Sequence, residues 1–178
     1  ILKDSGSQVV FVEDLGQHAK VTRHRAGVPE LKHVILLDGQ PPDDGGWTLS
    51  FEQLMERGRA YDAANPGAFD STVGRIGPDW LATLMYTSGT TGQPKGVELI
   101  HDCWVYEAMA IDEMRLINED DLQYLWLPLS HSFGKVLESA QMYIGFPTAV
   151  DGRIDQMVDN LGEVKPRCVA AGPRVFEK

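Results

Sequence analysis

The stretch Tyr86-Thr-Ser-Gly-Thr-Thr-Gly-Gln-Pro-Lys-Gly-Val97 sits between two apolar runs, 80–86 and 97–100. Apolar runs flanking a glycine-rich segment read as strand, loop, strand; a linker between domains lacks such flanks. Gly89, Gly92 and Gly96 permit positive φ and let backbone N–H groups approach a ligand closely. The hydroxyls of Thr87, Ser88, Thr90 and Thr91 are donors suited to phosphate oxygens. Lys95 adds a mobile point charge at the exit, and Pro94 stiffens the chain just before it. The stretch therefore reads as a loop that wraps an anion. A solvated loop without function is the competing reading of any short Gly/Ser/Thr cluster. A Walker A loop is excluded by residue order. That pattern needs Gly before the lysine and Ser or Thr after it, where this chain has Pro94 and Gly96.

The rest of the composition narrows the class. A chain of 178 residues, 43% of them hydrophobic, is long and apolar enough for a globular domain with a real core. Its 16 basic and 26 acidic residues leave a formal charge of −10, which opposes nucleic-acid binding. Cys103 and Cys168 are far apart and form no CxxC or Cys/His spacing, so no zinc site is expected. Two distant thiols fit a reducing compartment. No stretch is long and apolar enough to span a bilayer, and no amphipathic anchor is visible. The first residues lack an initiator Met and a signal-peptide core. They read like the end of a helix, and the last residues like the start of one. The expectation is a segment cut from a longer protein.

Strand and helix patterns alternate along the chain. Gln8–Val12 and His33–Asp38 read as buried strands. Residues 14–32 read as a short helix and a loop, and 39–47 as a turn-rich loop. Ser50 with Gln53 forms a capping-box pattern that starts a helix, which should end before Asn65-Pro66. Residues 65–79 read as loop. Val97–His101 reads as a strand, followed by a helix to about Leu116 with Asp102 as its N-cap and Trp104, Met109 and Ile111 on its buried side. Asn118–Asp121 is an acidic turn whose spacing fits no EF-hand, so it reads as solvated. Leu122–Leu127 is a strand, and Pro128–Gly134 leads into a helix that Gly145 stops. Pro147–Asp151 is a short strand. Ile154, Met157, Val158 and Leu161 mark an amphipathic helix, and Lys165–Ala171 a last strand. This alternation predicts an α/β fold: a layered parallel sheet with flanking helices. In such sheets ligands sit beyond the carboxyl ends of strands, so the loops after Tyr86 and Leu127 should face one crevice.

Of five histidines, His131 alone sits at a strand exit beside small polar residues. A site role competes with that of a structural histidine bonded to a neighbouring carbonyl. No GxSxG is present, so Ser130-His131 is not a nucleophile elbow. No GxGxxG follows a strand, so a dinucleotide fold is unsupported. Nothing in the sequence orients a base toward Cys103.

Residues 86–97, YTSGTTGQPKGV, resemble the phosphate-binding signature of the adenylate-forming enzymes, which include acyl-CoA synthetases, luciferases and peptide-synthetase adenylation domains. Pro128-Leu-Ser-His131 resembles their second core motif, and PRVFEK at 173–178 resembles a stretch of long-chain fatty acyl-CoA synthetases. The resemblance implies that residues 1–178 are an incomplete part of the large N-terminal adenylation domain, cut at both ends, with the C-terminal domain absent. It implies a long-chain fatty acid–CoA ligase that uses ATP and Mg²⁺ to make acyl-AMP and passes the acyl group to CoA. By the same resemblance Thr87, Ser88, Gly89, Thr90, Thr91, Gly92 and Lys95 hold the phosphates, Thr87 binds Mg²⁺, and His131 lies beside the reacting carboxylate. Phe133, Val136, Leu137 and Met142 are acyl-tunnel candidates, with core packing as the alternative for each. The resemblance implies a cytoplasmic enzyme, with peripheral membrane contact compatible with a lipid substrate. Motifs for the adenine (YGxTE) and ribose (TGD), the hinge and the C-terminal lysine are absent, so the isolated chain is expected to complete neither half-reaction. The alternatives are a fatty-acyl-AMP ligase or another adenylate former without CoA transfer, or a non-catalytic nucleotide-binding module.

Overall fold

Val34, Ile35 and Leu36 are almost wholly buried in the computed structural model, which describes residues 1–88 and 92–172. They form most of β2 (His33–Leu36), the central strand of a parallel sheet with β1 (Val9–Val12) on one side and β3 (Thr48–Ser50) on the other. A strand covered on both faces needs a continuous apolar run, and this one has it. The register sets Val10 opposite Val34, Val12 opposite Leu36 and Ile35 opposite Leu49. Val12, Leu31, Val34, Leu36 and Trp47 make the core of this part of the chain. Trp47 is buried without a lost hydrogen bond, because its Nε1–H donates to the Leu31 carbonyl at 3.1 Å.

Three helices belong to this first compact unit, Ile1–Ile76. In α1 (Leu15–Thr22) the Asp14 side chain caps the N-terminus by accepting from the Gln17 N–H. The capping box expected at Ser50 and Gln53 is present in both directions and starts α2 (Phe51–Ala64), which ends at the predicted place. Two elements depart from expectation. Thr48–Ser50 is a strand, because Asp44 binds both the N–H and the hydroxyl of Thr48 and sets it beside β2. Residues 65–79 are not all loop, since α3 (Ala68–Val73) lies within them.

The second unit, Gly77–Lys178, holds the candidate motifs. Its first sheet is a correction: β4 (Leu81–Thr87) and β5 (Lys95–Ile100) pair antiparallel, so the glycine-rich segment joins a hairpin and does not leave a parallel sheet. The second sheet is parallel, in the order β7 (Thr148–Val150), β6 (Gln123–Leu125), β8 (Cys168–Val169). All three residues of β6 are buried, as befits a central strand. Among the described residues its α-helices are α4 (His101–Glu113), α5 (Ser132–Ile144) and α6 (Met157–Val164). Ile117, Ala140 and Phe146 form its core, with Ile111, Ile144 and Cys168 packed against them.

Asp102 does not cap α4. Ile100 holds the N-cap position, and the first N–H groups are satisfied by the incoming chain: His101 N–H donates to the Trp80 carbonyl and Asp102 N–H to that of Pro78, both at 3.0 Å. Ala108 is the buried residue of this helix, whereas Met109 is 47% exposed. The amphipathic stripe at 154–161 is only half used. Ile154 lies in a 3₁₀ turn (Ile154–Gln156), whose tighter winding takes it off the α6 face, and Ile154 and Val158 are exposed while Met157 and Leu161 are half-buried. The acidic turn binds itself and a neighbour. Asn118 N–H donates to Asp121 at 2.9 Å, Asp120 N–H to Asn118 at 3.0 Å, and Arg167 Nε reaches Asp121 at 2.8 Å. Among the described residues no helix is long and apolar enough to cross a membrane.

Candidate functional site

The hairpin closes on Thr87 and Lys95. They are the last residue of β4 and the first of β5, they face each other in the register, and both are exposed. A hydroxyl and a primary amine thus flank the mouth of the loop, on two strands that hold them at fixed spacing. One step inward, Tyr86 faces Gly96. A Cβ on Gly96 would meet the Tyr86 ring at 3.2 Å, so the missing side chain lets the ring lie across the partner strand. Gly92 has φ +79°, the left-handed conformation that its residue type allows at little cost. Ser88 is exposed. Gly89, Thr90 and Thr91 lie outside the described residues, as do residues 173–178 with the PRVFEK stretch.

His131 follows the carboxyl end of β6, a strand of a parallel sheet, and is the N-cap of α5. Its Nδ1 accepts the Phe133 N–H at 3.2 Å. A backbone N–H can only donate, so Nδ1 is the bare nitrogen of the neutral ring and the proton sits on Nε2. The capping partner is therefore an N–H of the first turn of α5. What remains to His131 is one N–H donor, Nε2–H, on an exposed side chain.

The turn carrying His131 is held by a glycine that motif reading left without a role. Gly134 is buried in the first turn of α5, and a Cβ there would stand 2.5 Å from the Pro128 carbonyl oxygen and 3.1 Å from that of Leu127. Its position after the histidine was visible in the sequence, but the close approach was not. The Lys135 N–H donates to the His131 carbonyl at 3.2 Å, closing the same turn.

A groove of about 410 Å³ opens between β4, α4 and α5. Ala82 and Thr83 line it from β4, and Trp104, Val105 and Ala108 from α4. Lys135, Ser139, Met142 and Tyr143 line it from α5. Of the four tunnel candidates only Met142 is here. Val136 lines a second groove with Leu99 and Cys103, and Phe133 is 41% exposed. The strand that forms one wall leads on to Thr87, and the helix that forms another begins at His131. Helical spacing from His101 to Ala108 was the signal that could have found the α4 wall. Among the described residues no group of three or more His, Cys, Asp or Glu is placed to hold a metal.

The sequence that builds these elements matches a known family along the whole chain. The model of the AMP-binding enzymes covers residues 1–178, and the chain belongs to that family. It is 29% identical over 180 residues to the long-chain-fatty-acid–CoA ligase FadD15 of Mycobacterium tuberculosis, covering 100% of this chain and 28% of that protein. Among solved structures it resembles a putative long-chain-fatty-acid CoA ligase from Rhodopseudomonas palustris, with TM-score 0.73 and 17% identity over 99% of this chain and 41% of that one. It also resembles the Bacillus subtilis O-succinylbenzoate coenzyme A synthetase MenE solved with ATP and magnesium, with TM-score 0.58 and 17% identity over 90% of this chain and 42% of the other. The mixed α/β fold with parallel sheets and flanking helices is that of these adenylate-forming enzymes.

Proposed function

We propose that the intact protein is an ATP-dependent long-chain fatty acid–CoA ligase, of which residues 1–178 are an incomplete part of the N-terminal adenylation domain. The observation that carries this reading is the hairpin whose mouth is closed by Thr87 opposite Lys95, in a chain that belongs to the AMP-binding enzymes. The fatty acid carboxylate attacks the α-phosphorus of ATP, the bond to the β-phosphate oxygen breaks, and acyl-AMP and pyrophosphate form. The CoA thiol then attacks the acyl carbon and AMP leaves.

In-line phosphoryl chemistry of this kind needs positioning and charge neutralisation more than covalent help. The N–H groups of Gly89 and Gly92 and the hydroxyls of Thr87, Ser88, Thr90 and Thr91 hold the phosphates, and Lys95 offsets the charge that builds on the leaving pyrophosphate. The exposed Thr87 hydroxyl is a hard oxygen donor that fits Mg²⁺, which supplies further neutralisation when bound. His131 offers Nε2–H to an oxygen of the carboxylate or α-phosphate. It acts by hydrogen bonding and moves no proton. The chain by itself completes neither half-reaction.

Fatty-acid-dependent ATP–pyrophosphate exchange by the intact protein tests the first step, and acyl-CoA formation the second. Lys95→Ala and Thr87→Ala should each slow exchange by about 10²-fold. Full exchange by both variants would sink the loop assignment. Persistent acyl-AMP with no thioester would replace the ligase by an acyl-AMP-forming enzyme. Acyl-CoA formation by the 178-residue chain alone would overturn its predicted inactivity.

A further inference from the structure

A groove of about 650 Å³ runs between α2 and α3, wholly within the first unit. It shares no residue with the hairpin or the His131 turn. α2 supplies Gly58, Tyr61 and Asp62 at i, i+3 and i+4, one helix face. α3 supplies Phe69 and Asp70 to the same groove. Gly67 turns the chain between the two helices at φ +79°, and a Cβ on it or on Gly58 would meet nothing within 4 Å, so both face open space. The volume is that of a small-molecule site.

Two features of the lining call for a cation. Tyr61 is 63% and Phe69 72% exposed, so two aromatic rings on one groove are left to water, and the face of such a ring attracts positive charge. Asp62 sits in the last turn of α2, where the helix dipole is negative and a basic residue is the favourable one. No basic residue occupies that turn, so Asp62 adds charge to a helix end that is already negative. Asp70 brings a second carboxylate. Among the described residues no Lys or Arg lines the groove, and neither carboxylate is in an ion pair. Arg75 reaches the Thr72 hydroxyl instead, at 3.5 Å. A metal ion would leave the rings unused, and no group of three or more His, Cys, Asp or Glu is placed to hold one among the described residues. An uncharged apolar ligand would strip water from both carboxylates and give them no partner. A cation with apolar substituents uses rings and carboxylates together.

We propose that this groove binds a small alkylammonium ion, with its nitrogen between Asp62 and Asp70 and its alkyl groups on the rings of Tyr61 and Phe69. The site is independent of the ligase reading, which pyrophosphate exchange tests separately. An ammonium that carries alkyl groups gives up less hydration than a bare one, and the rings cover the groups it carries.

The test is isothermal titration of the intact protein with choline and with 3,3-dimethylbutan-1-ol, which has the same shape without the charge. Wild type should bind choline roughly tenfold more tightly than the alcohol, the scale of a cation–π contact at a partly desolvated site. Added salt should reduce that preference. Asp62→Asn combined with Asp70→Asn should abolish it. Tyr61→Leu and Phe69→Leu should each weaken choline binding, whereas Tyr61→Phe should keep it. All four side chains belong to exposed residues, so the substitutions leave the fold intact. Equal binding of the two compounds by wild type, or a choline preference that survives loss of both carboxylates, overturns the proposal. Hydroxyl-radical footprinting checks the occupant. Tyr61 and Phe69 should be oxidised in the free intact protein and protected by choline. Protection before choline is added would mean that another segment of the protein or a second copy covers the groove, and it overturns the proposal equally.

Discussion

The Cα of Gly134 lies so close to the Pro128 carbonyl that a methyl group on it would stand 2.5 Å from the oxygen. The strand exit that carries Pro128 and the helix that starts after His131 are thereby locked at one distance. The φ of Gly134 is not positive, so the constraint is space and not backbone freedom. Gly134→Ala should cost about 1–3 kcal/mol in denaturant unfolding, as overpacking does. Gly58→Ala is the control. That glycine lies inside α2 with nothing within 4 Å of its missing Cβ, and the change should stabilise by about 0.5–1 kcal/mol. Equal effects of the two substitutions would contradict the close approach.

His131 has two separable tasks. Its Nδ1 caps α5, and its Nε2–H is free to serve a ligand oxygen. His131→Ala should lower stability by about 1 kcal/mol through loss of the cap. His131→Asn keeps a capping oxygen and should restore that stability. It should not restore pyrophosphate exchange in the intact protein, because its amide N–H groups sit closer to the backbone and do not reach where Nε2–H does. Restored exchange in His131→Asn would mean that the histidine acts only as a cap.

Acid should weaken the first unit through Asp44. Burial pushes its carboxyl up, but hydrogen bonds from the Thr48 hydroxyl and N–H and from the Trp47 N–H, with the charge of Arg25, outweigh this and hold it below the usual value. A depressed carboxylate binds fewer protons folded than unfolded. Its stabilisation is present above the unfolded value of about 3.9 and is lost as pH falls through the folded one. Denaturant melts should show Asp44→Asn losing less stability than wild type between pH 5 and pH 2 (about that window). Thr48 also joins this carboxylate to buried His18, whose Nε2 is 2.8 Å from the Thr48 hydroxyl. Because that hydroxyl donates to Asp44, it must accept from His18, and Thr48→Val should cost about 1–3 kcal/mol by stranding both.

The two thiols should differ in reactivity. Cys103 is exposed, whereas Cys168 is partly buried and its thiol is pushed up by that burial and by the negative charge of Asp121. Iodoacetamide at mildly alkaline pH should label Cys103 first, followed by mass spectrometry of the peptides. Cys103→Ser should remove the fast phase, and a fast phase that remains would place the reactive thiol at Cys168.

Features set by neighbours in sequence were legible in the amino-acid order. The Ser50–Gln53 capping box, the helix end before Asn65-Pro66, the αL stop at Gly145 and the buried run at 34–36 each depend on residues a turn or less apart. So does the position of His131 at a strand exit. The family of the chain followed from those motifs, since they are local strings.

The tertiary structure decided what depends on partners distant in the chain. Antiparallel pairing of β4 with β5 cannot be read from two apolar runs, because the same runs suit either direction; the pairing is what sets Thr87 opposite Lys95. The N-terminus of α4 is satisfied by carbonyls of Pro78 and Trp80, more than twenty residues before Asp102, and this overrides the capping preference of Asp102 itself. A 3₁₀ turn at 154–156 breaks a stripe that looks regular on paper. The groove lined by β4, α4 and α5 exists only because the two helices pack side by side, and which of their residues face it is a matter of packing that the sequence pattern leaves open. Local propensity determined the elements and the chemistry at their ends; long-range packing chose their partners, and with them the shape of the site.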